Sequence, residues 1–206
     1  MRAWRGVYPR PHGYHPPMLR PANVVFWIAL SLWLSLAMVG GIAAMAIFPA
    51  SRELPLSMQG YEGFIAAEPV MGRELVAGHL VERVFALANM PRLVCAIVCG
   101  LALLTQLALT RKPPLARTRL VTLAVGAGAL LVGTFYALPA FQAKDRAYRE
   151  AAATQGDAAI QKARVRHKEV TVAHEIASNV ASIEVGAVLA LIVVSSLATA
   201  GAGRRE

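Results

Sequence analysis

Four long apolar runs, nearly free of charge, constrain this chain more than any other feature. A hydrocarbon core ~30 Å thick is crossed by ~20 helical residues. The first run covers about 23–48 and contains no charge, with Arg20 and Arg52 flanking it. The second covers about 93–110, between Arg92 and the pair Arg111–Lys112. The third covers about 120–141, between Arg119 and Lys144. The fourth covers about 183–203 and closes on Arg204 and Arg205. Only helices and closed barrels satisfy the backbone in lipid. Runs of this length predict an all-α, integral membrane four-helix bundle.

Composition supports that class. Of 206 residues, 56% are hydrophobic and 16% charged, too apolar for disorder or an ordinary soluble domain. The net charge of +9 would suggest nucleic acid in a soluble protein. Here no nucleic-acid motif accompanies it, and basic residues beside spans serve orientation and anionic lipid instead. The expected partners are the lipid bilayer and other membrane subunits, not nucleic acid. Cys95 and Cys99 lie one helical turn apart in the second run and read as small packing residues.

Residues 1–22 hold five prolines among Arg, His and Tyr and read as a mobile basic tail, with 23–203 as the membrane domain. His12 and His15 in it read as solvated. The first apolar run is longer than a signal-peptide core, so a retained anchor is expected. Basic residues near span ends set orientation. The short linker with Arg111, Lys112, Arg117 and Arg119 dominates that count and predicts both termini in the cytoplasm, as in a bacterial inner membrane. The same four residues are candidates for lipid phosphate.

Small residues predict where spans approach closely. The third run offers Thr122, Gly126, Ala129, Gly133 and Ala137. The first offers Ala37, Gly41 and Ala44 beside Gly40, and the fourth Gly186 and Ala190. On the far side of the bundle, residues 73–89 place Val76, Leu80, Val84 and Leu87 at helical spacing, predicting a helix that runs into the second span and bends at Pro91. Residues 144–175 read as two helical extensions joined near Gly156, and 55–69 as irregular.

The motifs Phe48-Pro49, Leu54-Pro55, the segment from Ala77 to Phe85, Ala137-Leu138-Pro139, and His174 with Ser178 occur in an order that resembles the transmembrane protein 205-like family. The resemblance covers roughly 29–200. It implies a four-span membrane fold of a bacterial group without an established reaction. Through an animal member tied to drug tolerance it also implies an efflux-related role. The chain differs in Ala86 and Ala181, where the family carries proline and asparagine, and in an apparent insertion at 56–71.

Among candidate functional residues, Glu184 comes first because an acid in hydrocarbon is costly and normally faces a bundle interior. The competing reading, placed ahead, starts the fourth span near Val185 and leaves Glu184 at the interface. Asn179 lies close by. His79 and Glu82 share one helix face, as do His167 and His174. Brought together, His79, Glu82 and His174 could bind a divalent metal such as Zn²⁺. No catalytic motif is present: no GxSxG elbow, no phosphate loop, no CxxC. The sequence therefore points first to a structural or accessory component of a membrane assembly, without a resident cofactor. A small oligomeric transporter and a metal-dependent membrane enzyme follow.

Overall fold

The computed structural model describes residues 19–53, 57–110, 113 and 115–202. The chain is an all-α four-helix bundle, and four of its helices are long and apolar enough to cross a membrane. It is an integral, multi-pass membrane protein. Helix α1 spans Leu19–Glu53, α2 is the short Glu62–Ala67, and α3 spans Pro69–Leu109. Helix α4 spans Ala116–Val132, passes through a π-helical segment at Gly133–Ala137, and continues as α5, Leu138–Ala153. Helix α6 spans Asp157–Ala202. Residues 1–18, and with them His12 and His15, lie outside the described residues, as do Arg111 and Lys112.

The helices outrun the apolar segments. Helix α6 has 46 residues, where a hydrocarbon core asks for ~20. The surplus of α3, α5 and α6 stands together with α2 at the end opposite Leu19 and Ala202, forming a helical crown. Residues 55–69 are not wholly irregular: 62–67 form α2, which tucks Phe64 into the crown. Gly156, with φ +102°, makes the turn from α5 to α6, a conformation that favours glycine.

Two cores follow from this division. In the bundle, Phe26, Leu30 and Trp33 of α1 pack against Cys99 and Leu103 of α3, Leu130 of α4, and Val188 and Leu191 of α6. In the crown, Phe64, Leu75, Tyr148, Ala151, Ala152 and Ala163 pack together. Tyr148 meets Phe64 and His167 edge-on, and its hydroxyl donates to Met71 O at 3.4 Å. That bond is long, so the ring matters more than the hydroxyl. Tyr148→Ala is expected to cost ~3–5 kcal/mol and open the crown to limited proteolysis, while Tyr148→Phe stays resistant. Equal cleavage of both variants would refute this ranking.

Pro139 explains the π segment. Its ring would clash with the carbonyl four residues back, and it has no N–H to donate. The widened turn at 133–137 absorbs that mismatch, and Leu138 N donates instead to Gly133 O. Pro91 sits inside α3, which runs on as one helix to Leu109.

Several packing faces differ from the sequence reading. On α1 the buried glycine is Gly40, whose Cα faces the Phe85 ring, while Gly41 faces open space. On α6 the buried face is Glu184, Ala187, Val188, Leu191, Ser195 and Ala198; Gly186 and Ala190 point away. On α3 the crown buries Leu75, Val76, Ala77 and Val81, and Leu80 and Leu87 are exposed. Each run was apolar on more than one face, and a span can turn either face to lipid. Gly126 and Ala137 of the third span are buried as expected.

Candidate functional site: two polar layers inside the bundle

The outer layer centres on Glu184. The start of α6 lies far above it, so Glu184 is not at a helix end. The residue is 2% exposed, so Glu184 faces the other helices of the bundle. Trp33 Nε1 of α1 donates to Glu184 Oε1 at 2.8 Å. Arg92 Nε of α3 lies 3.5 Å from the same oxygen. Arg92 Nη2 donates to Asn89 Oδ1 at 3.0 Å, and Thr134 Oγ1 donates to that oxygen at 3.0 Å. Thus α1, α3, α6 and the π segment each contribute one or more polar groups. Buried Arg92 Nε makes no hydrogen bond, so its link to Glu184 is purely an ion pair.

The inner layer centres on Arg119, toward the Leu19 end of α1. Arg119 is 6% exposed. Its Nε donates to Ser195 Oγ at 3.1 Å and its Nη2 to Gln106 Oε1 at 2.7 Å. Gln106 Nε2 in turn donates to Ala22 O at 3.3 Å. The guanidinium stacks over the Phe26 ring, 5.2 Å from its centroid. Again all four spanning helices take part. Eleven residues of α6 separate Glu184 from Ser195, or ~16 Å of helix. Of the four lipid-phosphate candidates, then, Arg119 lies inside the bundle with neutral partners, and Arg117 is exposed.

The crown holds the remaining candidates. His79 and Glu82 do share a face, but Arg149 of α5 takes the space beside them. Arg149 Nη2 donates to Glu82 Oε2 at 2.8 Å and to Asp145 Oδ2 at 2.6 Å, and Nη1 lies 2.6 Å from His79 Nδ1. His174 is elsewhere: it stacks near Phe141 and its Nε2 lies 3.3 Å from Ser178 Oγ. His167 pairs with Glu74 at 3.4 Å. Among the described residues no three His, Cys, Asp or Glu side chains come together as a metal would require. A cation at His79 and Glu82 would have to displace the Arg149 guanidinium. Asn179 is exposed on α6.

Electrostatics in the crown follow burial. Burial pushes the Asp145 carboxyl above its usual range, against the pull of Arg149. The Tyr148 phenol is pushed up for the same reason. Half-buried Glu169 is held below the usual carboxylate range, chiefly by its hydrogen bond from Arg166.

Sequence reasoning found Glu184 and missed its partners. Asn89 and Arg92 went unnoticed as a site because they sit at the edge of the second run, and Thr134 because a lone hydroxyl in a span often bonds its own helix. Gln106 and Ser195 went unnoticed because isolated polar residues in a span often bond their own helix. One signal was available: Arg92 and Glu184 open the second and fourth runs at the same membrane face, with opposite charge. No family model, curated protein or solved structure matches this chain at a significant level.

Proposed function

We propose that this protein is a structural or accessory component of a membrane assembly, seated in a bacterial inner membrane with its termini in the cytoplasm and its crown outside. The observation that supports this reading is the engagement of the interior charges with other spans. Glu184 is taken by Trp33 and Arg92, and Arg119 by Ser195 and Gln106. Side chains so engaged hold helices to one another and are not presented to a passing solute. The crown, in contrast, exposes Arg83, Arg146, Lys162, Lys168 and Glu175, a charged surface able to dock a subunit. The basic linker 111–119 supports the orientation. The likeness to the transmembrane protein 205-like family belongs to the same proposal, on the segment 77–85 and the Ala137-Leu138-Pro139 motif.

Two measurements on the full chain test it. Photo-cross-linkers at Lys162 and Lys168 in native membranes are expected to give one discrete adduct with another protein. Proteoliposomes are expected to show no proton or cation flux that Glu184→Gln abolishes. A Glu184-dependent flux overturns the proposal in favour of a small oligomeric transporter. One observation favours that second reading. The π segment interrupts regular helix beside the Glu184 layer, and transport sites often lie at such interruptions.

A further inference from the structure

Two arginines reach into the bundle interior, and the fold treats them differently. Arg92 faces Glu184. Arg119 meets no acid among the described residues: its partners are Ser195 Oγ, Gln106 Oε1 and the Phe26 ring, all neutral. The sequence has little else to offer it. No acid precedes Glu53, none lies between Glu82 and Asp145, and after Glu184 the next is Glu206. Along the described part of α6 the nearest acid to Ser195 is Glu184, ~16 Å of helix away. A guanidinium keeps its proton, so it cannot relieve burial by becoming neutral. Burying that charge without an opposite one is costly.

Two donors in this layer lack acceptors among the described residues. Arg119 Nε and Nη2 are bonded; Nη1 is not, and it is not sealed from the surface. Ser195 is 0% exposed, and its Oγ accepts from Arg119 but donates to nothing. Ser35, Thr105, Thr122, Ser182 and Ser196 all donate to a carbonyl of their own helix, the usual outlet for a hydroxyl in a span. Ser195 instead keeps its proton unbonded beside a cation. The layer also lies close to an end of the bundle. Ala22, Gln106 and Arg119 each stand three residues from the helix ends at Leu19, Leu109 and Ala116, ~4.5 Å of rise. Helix α4 starts there without a side-chain cap, and its dipole adds to the positive field.

We infer that Arg119, with Ser195, seats a phosphate group at this end of the bundle, borne by a lipid headgroup or by free phosphate. A phosphate supplies what the layer lacks, a negative charge and acceptor oxygens for the unbonded donors. Full-length protein in a neutral sugar detergent tests this with three probes: dioctanoyl phosphatidylglycerol, dioctanoylglycerol, which has no phosphate, and inorganic phosphate at matched ionic strength. By native mass spectrometry and thermal unfolding, the parent is expected to bind one phosphatidylglycerol, to melt higher with it, and to ignore dioctanoylglycerol. Stabilisation by the lipid alone assigns the site to a headgroup; equal stabilisation by inorganic phosphate assigns it to free phosphate. Arg119→Gln should weaken binding by roughly 30-fold, and exposed Arg117→Gln by less than about 3-fold. Ser195→Ala, which keeps the arginine, should weaken it by roughly 5-fold. A parent that binds neither phosphate-bearing probe overturns the inference. So does a Ser195→Ala protein that binds as the parent does, or equal weakening by the two arginine variants. Glu206→Gln that destabilises the parent but not Arg119→Gln would assign the charge to an acid of the chain, and overturns it too.

Discussion

Arg92→Ala is expected to destabilise the protein by ~3–5 kcal/mol, the typical cost of leaving a buried charge without its partner. Glu184 is almost fully buried and keeps only the Trp33 hydrogen bond once Arg92 is gone. For a chain of this size the melting temperature in detergent should fall by on the order of 10 °C. The unpaired charge, rather than lost packing, causes the loss, and a double variant separates the two. Arg92→Met with Glu184→Gln removes both charges, keeps an acceptor for Trp33 Nε1 and keeps similar volume. It should recover all but ~1 kcal/mol, because a buried pair replaced as a unit is often neutral. A double variant as unstable as Arg92→Ala would show that the ion pair is not what matters at this position.

Gly126→Leu is expected to have an effect of comparable size through contact rather than charge. A Cβ at Gly126 would stand 3.3 Å from Ala187 Cβ and 3.4 Å from the Trp33 ring. Alanine asks these neighbours to yield by a few tenths of an ångström. Leucine must push α4 away from both α1 and α6. Overpacking costs ~1–3 kcal/mol. Displacing Trp33 also strands the Glu184 acceptor, adding ~1–3 kcal/mol. Gly128 lies on the same helix with nothing near its Cα, so Gly128→Leu should stay within ~0.5 kcal/mol of the parent. Thermal unfolding of the two variants side by side decides the matter. Similar losses at 126 and 128 would mean that glycine content, not this contact, supports α4.

Trp33 touches the Gly126 contact and the Glu184 bond, so the small-residue stripe and the outer polar layer act through one side chain. Glycine at 126 lets Trp33 reach across, and Trp33 then satisfies the acid. The π segment brings Thr134 to Asn89 at the same end of the bundle.

The sequence by itself determined the class of structure. Nearly uncharged runs of spanning length admit little besides helices in lipid. It also predicted residues 144–175 as two helical extensions of the third and fourth runs joined near Gly156, and α5 and α6 meet at that turn. It singled out Glu184 on cost alone. Only the tertiary structure decided which face of each helix looks inward. In water an apolar stripe identifies the core, but in lipid both faces of a span can be apolar, so Gly40 and Gly41, or Ala187 and Gly186, cannot be told apart by hydropathy. The same ambiguity hid the partners of Glu184. Which of Asn179 or Asn89 faces the interior depends on helix rotation, and rotation is set by the neighbours each helix meets. It likewise took the packed crown to put Arg149, from a distant helix, between His79 and Glu82. Spacing along one helix fixes which residues share a face, and nothing along that helix says what another helix brings to meet them.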